Sequence, residues 1–237
     1  MKFTVCIPMY NESKIIAKTA QTLWAYMSEN FEDYEIIFCD DGSRDGSAEI
    51  VKSLELPCVR VIGYPDNRGK GSAVREAMLA SSGDAVMFTD SDLAYGAEVI
   101  KRVAEAFEEN PECDVVVGSR NIGKDGYDGY TFLRKIASKG YIGVLRTVGG
   151  LKISDSQCGC KAFRGEAAKK IFSHCEVNRF AFDFEAILIA EKFGYKIREI
   201  PVKVINHGDS KVNVLRDSLK MIRDIIRMKK RISKLDI

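Results

Sequence analysis

Residues 3–12, FTVCIPMYNE, and residues 35–45, EIIFCDDGSRD, decide how this chain is read. Each is a short, β-branched, nearly continuous apolar run that stops at small polar or acidic residues. Unbroken apolar character of this kind marks a parallel strand buried on both faces. Runs at 59–62, 85–89 and 114–118 repeat the pattern, so strands are expected at 3–7, 35–39, 59–62, 85–89 and 114–118. Helical patterns fill the gaps at 13–28, 45–54, 70–82 and 97–109. Such alternation predicts βαβ units in a doubly wound, mostly parallel sheet with helices on both faces. Ligands bind such sheets beyond the carboxyl ends of the strands, so the residues after each strand carry the functional information.

Those residues are Pro8-Met9-Tyr10-Asn11-Glu12, Asp40-Asp41-Gly42-Ser43-Arg44-Asp45, Asn67-Arg68-Gly69-Lys70-Gly71, Asp90-Ser91-Asp92 and Gly118-Ser119-Arg120. Helix capping by Ser43 or Asp45 would account for one or two such exits. It accounts poorly for five on one rim. Beyond residue 120 a Gly/Tyr/Asp-rich loop at 123–129 precedes a helical stretch, 132–148. A turn at 155–159 leads to Lys161-Ala162-Phe163. A helix at 182–193 ends at Gly194 as a C-cap, and a strand is expected at 196–205 with Pro201 at an edge or bulge.

The chain has 237 residues, 46% hydrophobic and 30% charged, which suits one soluble domain with a sizeable core. No stretch approaches the roughly 18–20 apolar residues of a spanning helix. The start turns polar too quickly for a signal peptide. Seven cysteines at irregular spacings predict free thiols in a reducing cytoplasm. Cys158-Gly159-Cys160 lacks a second cysteine pair, and with only His174 and His207 available no zinc site is expected.

Asp90-x-Asp92 at a strand end sets carboxylates on one short turn, and hard oxygens so placed suit Mg²⁺ or Mn²⁺. Arg68 and Lys70 lie in a loop where Gly69 and Gly71 allow close backbone approach. The helix beginning near Lys70 adds its positive end, so the loop could face a diphosphate. Neither G-x-x-x-x-G-K-[ST] nor G-x-G-x-x-G occurs, which sets aside ATP hydrolysis and dinucleotide binding.

In order along the chain, these exits are joined by Asp155-Ser156-Gln157-Cys158-Gly159-Cys160-Lys161-Ala162-Phe163 and Phe182-Asp183-Phe184-Glu185. The ordered set resembles the family 2 glycosyltransferases of GT-A fold, and within them the dolichyl-phosphate glucose and mannose synthases. That resemblance implies a metal-dependent, inverting transfer of a hexose from UDP-glucose or GDP-mannose to a polyprenyl (dolichyl) phosphate. Pro8, Tyr10, Glu12 and Asp41 would hold the nucleoside, with Lys70 near the ribose or diphosphate. Asp90 and Asp92 would bind Mg²⁺ or Mn²⁺ and the diphosphate. Gln157 would lie near the donor sugar. Arg120, Arg134 and Ser138 would bind the acceptor phosphate, and Lys211 would complete the charge around the phosphates. The chain departs from the mannose-transferring branch at Leu93-Ala94, where Gln often follows the second Asp by two positions, and this favours glucose. A sugar hydroxyl acceptor would instead need a carboxylate base, with Asp155 or Glu185 the candidates. A sugar nucleotidyltransferase would carry a Gly-rich basic loop after the first strand, which Tyr10-Asn11-Glu12 does not supply. A nucleotide-binding module without catalysis fits poorly with Asp90, Asp92 and Arg120 in place.

The formal charge of +2 hides a split. Residues 211–237 hold nine Lys/Arg and three Asp, a net +6, which leaves −4 for residues 1–210. In the tail Leu215, Leu219, Ile222 and Ile226 form one helical stripe, and Arg216, Lys220, Arg223, Arg227, Lys230 and Lys234 form the next. We therefore expect a catalytic domain over 1–210 and a basic amphipathic helix over 211–237 that either lies on an anionic membrane surface or docks on its own domain. The 132–148 helix offers a second contact. The expected place is the cytoplasmic face of a membrane, held peripherally and without a nucleic acid partner.

Overall fold

A computed structural model describes residues 1–123, 126, 143, 147, 150, 152–179, 181–205 and 225–235. Strands β1 (Phe3–Met9), β2 (Tyr34–Asp41), β3 (Val59–Tyr64), β4 (Ala85–Phe88), β5 (Val115–Ser119), β6 (Lys161–Arg164) and β7 (Ile197–Pro201) form one sheet in the order β3-β2-β1-β4-β6-β5-β7. All neighbouring pairs are parallel except those of β6, which runs antiparallel between β4 and β5. The expected α/β architecture is the observed one, and the first five strands fall where they were read.

The inner strands are buried on both faces because two helical layers cover the sheet, while the edge strands β3 and β7 stay partly exposed. Alternation along β1 shows the division. Phe3, Val5 and Ile7 face a core built with α1 (Ile16–Asn30), α2 (Ser47–Ser53) and α4 (Glu98–Glu109). Cys6 faces the other core, with α3 (Lys70–Ala80), α5 (Gly165–Ser173) and α6 (Phe182–Lys192). Helix α1 presents Ile16, Ala20, Leu23 and Met27 inward, the spacing of a single apolar stripe. Helix α6 ends as expected. Gly194 takes φ +74, its N–H donates to Glu191 O (3.1 Å), and Tyr195 N–H donates to Ala190 O (3.0 Å), which satisfies two terminal carbonyls. All seven cysteines are free, and only Cys58 is exposed.

Two expectations needed adjustment. The strand read over 196–205 stops at Pro201, which cannot donate to a ladder. Beyond it the chain leaves the sheet: Ile205 N–H crosses to Ala94 O (2.8 Å) on the loop after β4. Helix α5 and strand β6 were not foreseen as elements.

The tail also differs in detail. Residues 225–232 are helical, and Ile225, Met228 and Ile232 are buried in the core shared with α5 and α6. Ile226 is 58% exposed, and Arg227, Lys230 and Lys234 are exposed with it. The described part of the tail therefore docks on the domain along a seam beside the stripe read from sequence, and keeps the end of that stripe in solvent. The rest of the tail to residue 224, Lys211 included, lies outside the described residues. So does most of the 123–129 loop and of the 132–148 stretch, with Arg134 and Ser138. Among the described residues no helix is long and apolar enough to cross a membrane.

Candidate active site

The exits of β1, β2, β4 and β5 share one rim, and the order of strands reverses between β1 and β4, where a ligand crevice is expected. The β1 and β2 exits are stitched together. Asn11 N–H donates to Ser43 Oγ, Glu12 N–H to Ser47 Oγ and Ser13 N–H to Asp45 Oδ2, each at 2.9 Å. Desolvation works against the Asp45 carboxylate, but hydrogen bonds from Ser47 and Ser13 outweigh it and hold its pKa at about 2. Tyr10 projects from this frame, 42% exposed, and Pro8 is buried at the strand end.

Asp41 is buried and engaged inside the protein. It accepts from Tyr64 Oη (2.7 Å), Asn67 Nδ2 (2.8 Å), Arg68 N–H (2.8 Å) and Gly69 N–H (2.9 Å). Its carboxylate thereby shapes the 64–69 loop, with the Arg68 guanidinium stacked 4.3 Å from the Tyr64 ring centroid. A nucleoside would meet a loop that Asp41 organises.

That loop delivers Lys70, at the start of α3, to Asp90 across the crevice, where the two form an ion pair. Burial tends to lower the Lys70 pKa, but Asp90, Asp183 and Asp92 together raise it. Asp92 is raised in turn, by desolvation and then by the Asp90 charge. Its Oδ1 accepts Ala94 N–H (3.0 Å), and Leu93 adopts φ +47 to make that turn. Thr19 Oγ1 pins the turn from α1 by donating to Ser91 O (2.6 Å). Two carboxylates on one short turn, with an ammonium already drawn to one of them, make a cation-seeking site. Hard oxygen donors on one turn fit Mg²⁺ or Mn²⁺. Among the described residues no further His, Cys, Asp or Glu joins them as a cluster, so water and phosphate oxygens would complete a coordination shell.

Because β6 starts beside the end of β4, the Cys158-Gly159-Cys160 turn lies directly on Asp90. A Cβ at residue 159 would stand 2.6 Å from Asp90 Oδ2. Gly159→Ala is therefore expected to displace Asp90 and lower kcat by about 100-fold, the scale of a small misplacement in a reacting site. Steady-state kinetics beside a melting curve would check this, and wild-type turnover would count against the placement.

The β5 exit is held by a different pair. Arg120 Nε and Nη2 grip Asp155 Oδ2 and Oδ1 at 2.7 and 2.9 Å, and Asp155 has no exposure. Burial opposes the Asp155 charge, but the Arg120 hydrogen bonds prevail and lower its pKa. Gln157 N–H donates to Asp155 Oδ1 (3.3 Å), so the pair positions the loop that bears Gln157. Of the two carboxylates considered as bases, Asp155 is thus committed to Arg120. Glu185 is wholly buried, with Oε2 accepting Glu176 and Val177 N–H (2.9 and 2.8 Å).

The structure adds two residues whose part was not foreseen. Lys161, fully buried in β6, donates to Cys158 O (2.5 Å) and faces Asp183 Oδ2 at 3.5 Å. Asp183 Oδ1 has no hydrogen-bond partner, and burial raises the Asp183 pKa. A lysine within an apolar strand was the available signal, since such a residue needs a buried partner.

A family model described as glycosyl transferase family 2 matches residues 4–172. The chain belongs to this family. This glycosyltransferase is 35% identical over 237 residues to a dolichyl-phosphate beta-glucosyltransferase of Trichomonas vaginalis, covering 95% of this chain and 70% of that one. It is 32% identical to a dolichyl-phosphate beta-glucosyltransferase of Dictyostelium discoideum, over 95% and 73% of the two chains. Its fold is that of glucosyl-3-phosphoglycerate synthase from Mycobacterium tuberculosis, solved with Mn²⁺, UDP and phosphoglyceric acid (TM-score 0.71, 18% identity, 100% and 80% coverage). The glycosyltransferase thus has the GT-A architecture that the family resemblance implied.

Proposed function

We propose that this glycosyltransferase moves glucose from UDP-glucose to a polyprenyl (dolichyl) phosphate with inversion at the anomeric carbon. The observation that carries the proposal is the cluster at the end of β4: Asp90 and Asp92 on one turn, with Lys70 brought to them by a loop that Asp41 organises. The activity of the relatives supplies the sugar and the acceptor class.

In this scheme Pro8, Tyr10, Glu12 and the Asp41-shaped loop receive the nucleoside, and Lys70 meets the diphosphate. A divalent cation on Asp90 and Asp92 would neutralise charge on the leaving diphosphate. An acceptor phosphate oxygen attacks the anomeric carbon opposite the departing nucleoside diphosphate, so the carbon–oxygen bond to the diphosphate breaks as the new one forms. A phosphate monoester, with a second pKa of about 6, is already ionised and needs no protein base. That agrees with the commitment of Asp155 to Arg120 and of Glu185 to backbone N–H groups. Arg134, Ser138 and Lys211 are proposed for the phosphates on the resemblance, and Arg120 is proposed to act there from its place beside Asp155. Peripheral attachment to the cytoplasmic face of a membrane would use Ile226 with Arg227, Lys230 and Lys234, which face away from the docked seam. A hydroxyl acceptor would call for a base, and Asp183, with an unpartnered oxygen, is the carboxylate suited to that second reading.

One experiment addresses these points. The protein is incubated with Mn²⁺ or Mg²⁺, anionic vesicles carrying polyprenyl phosphate, and UDP-glucose, GDP-mannose or other nucleotide sugars. A β-glucosyl lipid phosphate from UDP-glucose, with protein sedimenting on the vesicles, is expected. Transfer only to a soluble hydroxyl acceptor would favour the second reading, and no lipid-linked sugar from any donor would overturn the first.

A further inference from the structure

The tail does more than lie against the domain. Arg231 reaches from the 225–232 helix to the buried Glu185 carboxylate on α6, where its Nη2 pairs with Oε1. The same guanidinium donates to His174 O (2.8 Å) and pairs with the Glu176 carboxylate at 3.0 Å. Glu185 uses its other oxygen to hold the N–H groups of Glu176 and Val177. Residues 174–177 are therefore clamped between a buried carboxylate and an arginine from the far end of the chain.

The clamped segment is also the backing of the loop that carries Lys70. Ser72 N–H donates to Asn178 O (3.3 Å), and Arg75 binds Cys175 O and Asn178 Oδ1 at 3.1 and 3.0 Å. The carbonyls of Asn178 and Val177 occupy the space where a Cβ on Gly69 or Gly71 would stand. That contact leaves the Gly69-Lys70-Gly71 backbone little room to move without moving 177–178.

We infer that Arg231 is a positioning residue for the donor site. It neutralises Glu185, Glu185 fixes 176–177, and 177–178 sets where Gly69–Gly71 place Lys70. The inference rests on the proposed role of Lys70 at the donor diphosphate. A buried carboxylate stripped of its counter-charge is costly and must protonate or move, and either change is felt through the two N–H groups it holds.

The test uses the full chain and the Arg231→Met, Arg231→Lys and Glu185→Gln variants, below their melting temperatures. Calorimetric titration with UDP and Mn²⁺ and donor kinetics are read together. Arg231→Met is expected to weaken UDP binding and raise the donor KM by about tenfold, a usual scale for coupling through a packed network, while the acceptor KM moves less than about twofold. Adding Glu185→Gln to Arg231→Met should restore much of the loss, because a neutral amide still accepts the N–H groups without needing a cation. If Arg231→Met does not fold, Arg231→Lys carries the test through hydrogen exchange. Amides of 69–73 should then exchange faster than wild type, with those of α4 unchanged. A lower melting temperature with wild-type UDP affinity and donor KM, or unchanged exchange at 69–73 in Arg231→Lys, would overturn the inference. Wild-type protein that binds no nucleoside diphosphate would instead overturn the donor-site reading on which it rests.

Discussion

Asp92→Ala should reduce metal-dependent turnover by at least about a thousandfold, roughly the 4 kcal/mol that a preorganised charge-stabilising contact supplies to a transition state. The reason lies in the balance of charge after β4. Asp90 is already drawn to Lys70, so the second carboxylate is what leaves the turn short of positive charge. Its pKa, raised by burial and by Asp90, records that deficit. With Asp92 gone, Asp90 and Lys70 satisfy each other and little remains to attract a divalent ion. Fold stability should hold or rise slightly, since a disfavoured charge is removed. Turnover against Mn²⁺ concentration, beside a melting curve, is the measurement. Activity near wild type in a folded protein would end the assignment of Asp92 to the metal.

The second large effect concerns stability. Asp155→Asn leaves the Arg120 guanidinium in a site built for an anion, and removal of one partner from a buried pair costs about 3–5 kcal/mol. For a chain of this length that is on the order of 10 °C in Tm. The pH dependence follows from the lowered Asp155 pKa. A carboxyl depressed in the folded state contributes fully above its unfolded value of about 3.9. The contribution falls away as the pH drops through that value toward the lower folded one. The difference in unfolding free energy between wild type and Asp155→Asn should therefore be widest near neutrality and close below about pH 4. A constant difference across that range would show that packing, not charge, sets the value of the pair. Because Asp155 also receives Gln157 N–H, the same variant should lower kcat in the material that remains folded.

Much of the candidate site was legible because its parts sit at strand exits, which are local features. The exits at 8–12, 40–45, 67–71, 90–92 and 118–120 needed only the run of apolar residues before them. Helix α5 was missed although Ala167, Ala168, Ile171 and Phe172 face inward, because nine residues give too short a period to separate from a loop. Strand β6 was missed because only four residues form it and its antiparallel partners lie far away in the chain. The tail has a second apolar seam, Ile225, Met228 and Ile232, beside the stripe read from sequence, for which a membrane surface and the domain itself were both open. Periodicity alone does not say which of two adjacent stripes the domain will cover.

The sequence by itself determined the class of fold, the order of strands and helices through residue 120, the rim that the polar strand exits share, and the place of Asp90 and Asp92 together at the end of one strand. Those follow from hydrophobic periodicity and from the rule that parallel strands end at the ligand side. Only the tertiary structure decided which charges meet. It paired Arg120 with Asp155 across 35 residues and Arg231 with Glu185 across 46. It spent Asp41 on the 64–69 loop, and it buried Lys161 against Asp183. A burial pattern is written into neighbouring residues. The partner of a buried charge is whatever the folded chain carries into the same few ångströms, and no local spacing encodes it.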